Sequence, residues 1–196
     1  QLVNDILDMS KIEAGTLEFV QTTVDVNLLL SDLQQLFQMR VNEAGENIQI
    51  IAEPSRSSCM IQTDRNRVAQ VLSNFAGNAI KFTDKGDVSL SANIIGSSLN
   101  LIIKDSGRGI SQEEQEVIFE EFARLKNATG IEGSGLGLSI VSKITNLMGG
   151  EISLSSSPDE GTSFFVTIPI EIVEEPNIDS SQHDDIEPQT ANTLIS

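Results

Sequence analysis

Apolar residues recur at helical spacing in five segments of the chain, which predicts helices over residues 1–14, 27–44, 65–82, 111–122 and 136–148. Strands are predicted where apolar and polar residues alternate, in the segments TLEFVQTTVDV, NIQIIAEP, CMIQTD, VSLSANI, LNLIIKD, EISLSSS and TSFFVTIPI. Because strands and helices do not alternate strictly, we expect an α+β fold built as a two-layer sandwich, and not a doubly wound parallel sheet.

Turn and cap residues set the expected limits of several elements. Asp64 occupies the N-cap position of the helix that contains VLSNFAGNAIKF, and the SQEEQEVIFEEF segment opens with a capping-box pattern. The FTDKGD segment is expected to form a turn with Lys85-Gly86 at its tip. Residues 124–135 lack periodicity and are expected to form a loop.

The composition of the chain changes after Ile172. Residues 173–196 contain six acidic residues and two prolines, but no Lys or Arg and few large apolar side chains, which is typical of a disordered tail or linker. At the other end, the helix over residues 1–14 has no N-terminal cap and is expected to be the stump of a longer helix. These limits give a core domain over residues 16–172.

Charge and composition exclude several classes of function. The net charge of −17 disfavours binding to nucleic acid or to an anionic membrane through the overall field. The single cysteine, Cys59, excludes an intrachain disulfide and fits a reducing compartment. No run of about 18 apolar residues is present, so we expect a cytoplasmic domain; an inner-membrane anchor elsewhere in a longer parent protein stays open.

One face of the 65–82 helix carries polar residues that its packing does not explain. Asn74, Asn78 and Lys81 lie within about 60° of one another on a helical wheel. The apolar stripe lies about 100° away. The polar face is either solvated or a ligand face, on which amide oxygens bind a hard cation and the ammonium binds phosphate oxygens.

Three further clusters contain residues that suit a nucleotide. DSGRGI, at residues 105–110, follows a strand, and its carboxylate can accept a hydrogen bond from an exocyclic amine. EGSGLGLSI, at residues 132–140, leads into a helix whose N-terminus is suited to an anion, but its spacing is neither that of a dinucleotide-binding motif nor that of a P-loop. FEEFARLKN places Arg124 and Lys126 at the start of the glycine-containing loop.

Together these motifs resemble those of sensor histidine kinases, within the superfamily of Bergerat-fold ATPases that also includes type II topoisomerases, Hsp90 chaperones and MutL-type repair proteins. NFAGNAIKF resembles the N box, DSGRGI the G1 box, FEEF the F box and GSGLGL the G2 box. NDILDMSKIEAG resembles the end of the second dimerisation helix. The resemblance covers residues 1–172 and implies a mixed sheet of about five strands on three helices, preceded by a helical stump.

The resemblance also implies roles for individual residues. Asn78 would coordinate Mg²⁺ on the phosphates of ATP, with Asn74 beside it, and Lys81 and Arg124 would contact phosphate. Asp105 would bind the adenine amino group. The remaining positions implied to lie at the nucleotide, including the hinge of a lid over residues 123–134, are Phe82, Gly107, Gly109, Gly133, Gly135, Leu136 and Gly137.

The catalytic alternatives differ at Asn74. In the hydrolytic branches of the superfamily a Glu at this position activates water, whereas an amide is no general base. This favours a protein histidine kinase over an ATP hydrolase. A catalytically silent nucleotide-binding module stays open, and the dimerisation-helix motif disfavours the serine-kinase anti-sigma branch.

The implied partners lie outside this sequence. The phospho-accepting His is expected on the first dimerisation helix, in a homodimer, and His183 in the acidic tail is interpreted as ordinary. The tail would suit a connection to a receiver domain, as in hybrid kinases, and a response regulator or receiver domain is the expected downstream partner. No nucleic-acid partner is expected.

Overall fold

The computed structural model describes residues 2–55, 60–122 and 135–172. The helices are α1 Leu2–Glu13, α2 Val26–Ala44, α3 Arg65–Lys81, α4 Gln112–Gln115 and α5 Gly137–Leu147. The strands are β1 Thr22–Asp25, β2 Asn47–Glu53, β3 Met60–Thr63, β4 Lys85–Ile95, β5 Ser98–Asp105, β6 Glu151–Ser157, β7 Gly161–Pro169 and β8 Glu171–Ile172. The expectations for Cys59, the lid over residues 123–134, His183 and the acidic tail fall outside the described residues.

Five of the strands form one mixed sheet in the order β2-β4-β5-β7-β6. β2 runs parallel to β4, and the other neighbours are antiparallel. The predicted hairpin is confirmed, because β4 and β5 pair along their length from Val88 opposite Asp105 to Ile95 opposite Ser98. The same register places Asp105 at the end of β5, opposite Thr162 at the start of β7.

Helices α2, α3 and α5 pack on this sheet, which confirms the predicted α+β two-layer sandwich. The apolar stripe of α3 is buried as its spacing predicts, including Val71, Leu72 and Phe75, each 0% exposed. The ring of Phe75 lies 4.5 Å from that of Phe164 on β7, so the helix is held against the centre of the sheet. None of the described helices combines the length and apolar character of a membrane span.

A second, three-stranded sheet in the order β1-β3-β8 was not expected from the sequence. The strand predicted over TLEFVQTTVDV forms only at Thr22–Asp25, because its partner β3 is itself only four residues long. Leu17 and Phe19, in the preceding segment, pack against the core without joining a sheet. The expectation of one long strand there was wrong.

Two further limits differ from those predicted. Lys85 and Gly86 belong to β4 and not to the tip of a turn, because they pair with Asn47 and Ile48 of β2. In SQEEQEVIFEEF the capping box is present, but the α-helix spans only Gln112–Gln115. The backbone then tightens, with the Glu120 amide donating to the Val117 carbonyl, and this turn buries Ile118 while Val117 stays exposed.

Two aspartates cap the helices of the core. Asp25 Oδ1 accepts from the amides of Asn27 and Leu28 at the start of α2. Asp64 Oδ1 accepts from the amides of Asn66 (2.9 Å) and Arg67 (3.1 Å) at the start of α3. Asp64 Oδ2 also accepts from the amide of Val20, so one buried carboxylate ties α3 to the segment after α1.

This difference between the caps predicts different costs of removing them. Asp64→Ala should lower the free energy of unfolding by roughly 2–4 kcal/mol, because it removes a helix cap and leaves the Val20 amide without an acceptor. The exposed cap Asp25→Ala is the matched control and should cost only about 1 kcal/mol. Urea unfolding measures both, and equal costs would show that the bond to Val20 contributes nothing to stability.

Candidate functional site

The polar face of α3 carries Asn74, Asn78 and Lys81, all partly buried. Asn74 is held in one orientation, because its Nδ2 donates to the carbonyl of Gln70 one turn earlier at 3.1 Å. Its Oδ1 points to α5, where a Cβ added to Gly137 would lie only 2.7 Å from it. Asn74 therefore contacts the first residue of α5 at a position where only glycine fits without displacing the amide.

The start of α5 combines a glycine-dependent backbone with an uncapped helix end. Gly135 has a φ of +72°, in the left-handed region that favours glycine. No side chain caps α5, so its first amides remain available to an anion. Leu136 is only 3% exposed, so the backbone of residues 135–137, and not the Leu136 side chain, is what this segment can present to a ligand.

Asp105 lies buried at the end of β5, with 7% of its surface exposed. Its Oδ1 accepts from the amide of Gly107 at 2.9 Å and from the amide of Thr162 at 3.2 Å. Burial raises the pKa of the Asp105 carboxyl above its ordinary value of 3.8, and the two backbone amides oppose that shift. Both described hydrogen bonds are on Oδ1, so Oδ2 is the oxygen left to accept from a ligand amine.

The loop after β5 approaches its neighbours too closely for side chains at its glycines. A Cβ at Gly107 would lie 2.4 Å from the Phe82 carbonyl oxygen and 2.9 Å from both Asp105 Oδ1 and Thr83 Oγ1. A Cβ at Gly109, whose φ is +68°, would lie 1.9 Å from the Ser157 carbonyl oxygen. The glycines predicted to shape a pocket are thus required by backbone contacts on two sides.

The end of α3 is tied to this loop. The Arg108 amide donates to the Phe82 carbonyl at 3.2 Å. The Phe82 ring lies between two cations, with Lys81 Nζ 5.3 Å and Arg108 Cζ 4.9 Å from its centroid. The structure therefore brings the α3 face, the DSGRGI loop and the start of α5 together around one helix, while Arg124 and Gly133 lie outside the described residues.

Thr83 is a site residue that the sequence reasoning missed. It is 4% exposed, and its Oγ1 is buried without a hydrogen-bond partner among the described residues. Oγ1 and Asp105 Oδ1 are each 2.9 Å from the same point, the Cβ position of Gly107, so they lie no more than twice that distance apart. An unsatisfied hydroxyl at this place fits a polar ligand atom or a water at the Asp105 corner.

Thr162 and Gly161 were also missed, although they fix Asp105. The Thr162 amide binds its carboxylate, and a Cβ at Gly161 would lie 2.1 Å from the Asp105 carbonyl oxygen. Their signal was present in the pairing of strands: aligning TSFFVTIPI antiparallel to LNLIIKD would have placed the Gly-Thr pair opposite the aspartate. The expected strands were read from the sequence singly, so this neighbour was not identified.

The donor set bears on which metal this site can bind. Among the described residues, no group of three or more His, Cys, Asp or Glu side chains is arranged to hold a metal ion. Mg²⁺ is commonly bound by one or two protein oxygens together with phosphate oxygens, and not by a cage of protein ligands. A single amide oxygen on the α3 face fits that mode of binding.

Comparison with known proteins places these features in one family. Residues 63–172 match the family described as histidine kinase-, DNA gyrase B-, and HSP90-like ATPase. An uncharacterised sensor-like histidine kinase of Rhizobium meliloti is 36% identical over 171 residues, covering 86% of this chain and 32% of the relative. The aerobic respiration control sensor protein ArcB of Escherichia coli is 31% identical over 199 residues, covering 99% of this chain and 25% of the relative. The chain thus spans a third or less of these two relatives.

Solved structures give the same result. The full-length ShkA structure, in complex with AMPPNP, matches with a TM-score of 0.79 and 33% identity over 89% of this chain and 36% of that chain. The catalytic domain of the histidine kinase ThkA, in a nucleotide-free form, matches with a TM-score of 0.66 and 30% identity over 78% of this chain and 96% of that chain. The described fold therefore corresponds to a complete catalytic domain.

The contacts of Asp105 predict opposite effects of one substitution on binding and stability. In Asp105→Asn the amide oxygen can keep both bonds to Oδ1, which directs the NH₂ group to the ligand side. We expect the affinity for ADP to fall by about tenfold or more, because a donor then faces the base amine. The variant should be at least as stable as the wild type at pH 7, since no charge is buried.

The pH dependence follows from the raised pKa. A folded state that holds the proton more tightly loses stability as pH rises from 3.8 through the folded pKa, so the advantage of Asn should be largest at neutral pH and shrink on acidification. Calorimetric titration and urea unfolding at several pH values measure both effects, with the exposed Asp32→Asn as control. Unchanged ADP affinity would remove Asp105 from the binding site.

Proposed function

The chain belongs to the family of histidine kinase-, DNA gyrase B- and HSP90-like ATPases, as an ATP-binding catalytic domain of a sensor histidine kinase, and from this premise we propose a reaction and a set of residue roles. The domain transfers the γ-phosphate of ATP to a histidine of the dimerisation domain of its parent protein. Enzyme and acceptor lie on different domains, so the site must bind ATP firmly and leave its γ-phosphate open to an incoming side chain.

The adenine base binds at the Asp105 corner. Oδ2 of Asp105 accepts from the exocyclic amine, and Thr83 offers a hydroxyl beside it. Gly107 and Gly109 leave room for the base, since their backbone positions exclude side chains on the other side. The buried, prefixed carboxylate selects a base that carries a hydrogen-bond donor, which is the basis for preferring adenine over guanine here.

The phosphate chain runs along the polar face of α3 to the start of α5. Lys81 contacts phosphate, Phe82 lies against the nucleotide, and the backbone of Gly135, Leu136 and Gly137 provides amides at a helix N-terminus. The residues of the lid that would complete this cradle are Arg124 and Gly133. Asn78 would hold a Mg²⁺ ion whose charge, when bound, offsets that of the β- and γ-phosphates.

The observation that carries the proposal is the fixed amide of Asn74. Its Nδ2 is bonded to the Gln70 carbonyl and its Oδ1 faces Gly137, so the residue is held beside the metal-binding position without being able to take a proton from water. Hydrolysis therefore lacks its base. The γ-phosphate is kept for a nucleophile that the domain does not contain among its described residues.

In the transfer step, a nitrogen of a neutral imidazole attacks the γ-phosphorus in line with the bond to the β–γ bridging oxygen. The N–P bond forms as the P–O bond breaks, ADP leaves with the bonding electrons, and the imidazolium loses its other ring proton. The residues of this chain supply no covalent chemistry. They position the phosphate chain and stabilise the charge that develops on the leaving ADP.

The proposed domain layout follows the described contacts of α1. Residues 1–15 form the end of the second dimerisation helix, residues 16–172 form the catalytic domain, and residues 173–196 form an acidic linker or tail. Asp8 on α1 accepts from Arg67 and Gln70 of α3, which is one turn before Asn74. The parent acts as a homodimer through its dimerisation domain, in the cytoplasm or at the inner membrane, and a response regulator or receiver domain takes the phosphoryl group.

A prediction for Asn78 tests the metal role. Asn78→Ala should remove the Mg²⁺ dependence of ATP binding, because the variant lacks the only amide oxygen proposed to hold the ion. The exposed Asn66→Ala, on the first turn of the same helix, is the matched control and should keep that dependence. Titration of ATP with and without Mg²⁺ measures both. An Asn78→Ala variant that is more stable and binds as the wild type does would identify the α3 face as merely solvated.

The proposed reaction is tested with γ-labelled ATP. The full chain alone should remain unlabelled and release little phosphate. Addition of the parent's phospho-accepting helical hairpin, as a separate polypeptide, should give acid-labile label on the hairpin, and His183→Gln should leave this label unchanged. Rapid phosphate release without label would identify a hydrolase, ATP binding with neither label nor release a silent module, and label on His183 a wrongly assigned nucleophile.

A further inference from the structure

Arg108, the fourth residue of the DSGRGI loop, is held firmly by its backbone. Its amide donates to the Phe82 carbonyl at 3.2 Å, and its own carbonyl accepts from the Asp159 amide at 2.7 Å. The loop is therefore clamped between the end of α3 and the turn before β7. A side chain on such a backbone has few positions available, and that of Arg108 lies over the Phe82 ring, with Cζ 4.9 Å from the centroid.

Two nitrogen atoms of this guanidinium have no acceptor. Nε and Nη2 are both buried, and neither has a hydrogen-bond partner among the described residues. The ion pairs described for this chain involve Arg65, Arg67 and Lys143 instead. An arginine stays charged at any ordinary pH, and charged donors buried without an acceptor are costly, which the contact with one aromatic ring offsets only in part.

The two unsatisfied atoms lie on the same edge of the guanidinium. Nε–H and Nη2–H point in parallel, and this edge matches two oxygens of a single phosphate group. One ligand group therefore satisfies both donors at once. A second cation, Lys81, lies near the same ring at 5.3 Å, so positive charge is concentrated here although the chain as a whole has a net charge of −17.

We propose that Arg108 is a further nucleotide-binding residue, whose Nε and Nη2 donate to oxygens of the phosphate chain of bound ADP or ATP. The inference rests on the proposed function and adds a residue to the same site. Phe82 then acts as the platform that holds the guanidinium edge towards the phosphates. The loop that shapes the base pocket through Gly107 and Gly109 thereby also reads the charged end of the ligand.

The test separates contact with phosphate from an effect on pocket shape. Arg108→Met keeps an unbranched stem on Phe82 and removes the charge, whereas Arg108→Lys keeps the charge and removes the bidentate edge. Arg40→Met is the matched control, because Arg40 also lies over a phenylalanine ring, 5.7 Å from the centroid of Phe37 on α2. The affinities of full-length variants for adenosine, ADP and ATP are measured by calorimetry, and by ligand-observed NMR where binding is weak.

For Arg108→Met we expect affinities for ADP and ATP to fall by about tenfold or more, with adenosine within about twofold of the wild type. Arg108→Lys should give an intermediate loss, and Arg40→Met none. An equal loss for adenosine and ADP, or no loss for either, overturns the inference. A wild type that binds none of the three ligands overturns the proposed function itself, which is a different result.

Discussion

The structure of the site depends on keeping one carboxylate charged in a buried position. Asp105 is 7% exposed, and desolvation acts against its ionised form, so the protein must supply compensating donors. Two backbone amides do so, from Gly107 and Thr162, and both reach the same oxygen. This arrangement requires β5 and β7 to pair in one register, and it requires glycine at 107 and 161, where a Cβ would collide with the backbone or side chain around Asp105. The sheet register and the binding pocket are thus one constraint.

Helix α3 connects this pocket to the rest of the domain because its two faces have different tasks. One face is buried against the sheet and holds the helix in place through Val71, Leu72 and Phe75. The other presents Asn74, Asn78 and Lys81, and its last carbonyls meet the loop after β5 through the Arg108 amide. Apolar packing therefore fixes the positions of polar groups that contribute little to stability themselves. A loss of packing on the first face would be felt as lost binding on the second.

Much of this was predictable from local patterns, and what was missed depends on pairing. The period of the α3 stripe, the Asp64 cap and the β4–β5 hairpin each follow from residues close together in the sequence. Thr162, Thr83 and Arg108 gain their importance from contacts across the sheet or around the Phe82 ring, and no local spacing indicates such contacts. The short strands β1, β3 and β8 were harder still, because a four-residue strand is defined by its neighbours more than by its own alternation.

The small β1-β3-β8 sheet has a mechanical consequence. Val24 lies opposite Ile61, and Ile61 opposite Ile172, so the chain enters and leaves the core domain only two strand spacings, or about 10 Å, apart. β1 and β8 run in the same direction, since both are antiparallel to β3. A pull on the chain before Thr22 and after Ile172 would therefore load this small sheet in shear along its strands. The five-stranded sheet that carries Asp105 lies outside that load path, so tension between flanking segments would reach the nucleotide pocket last.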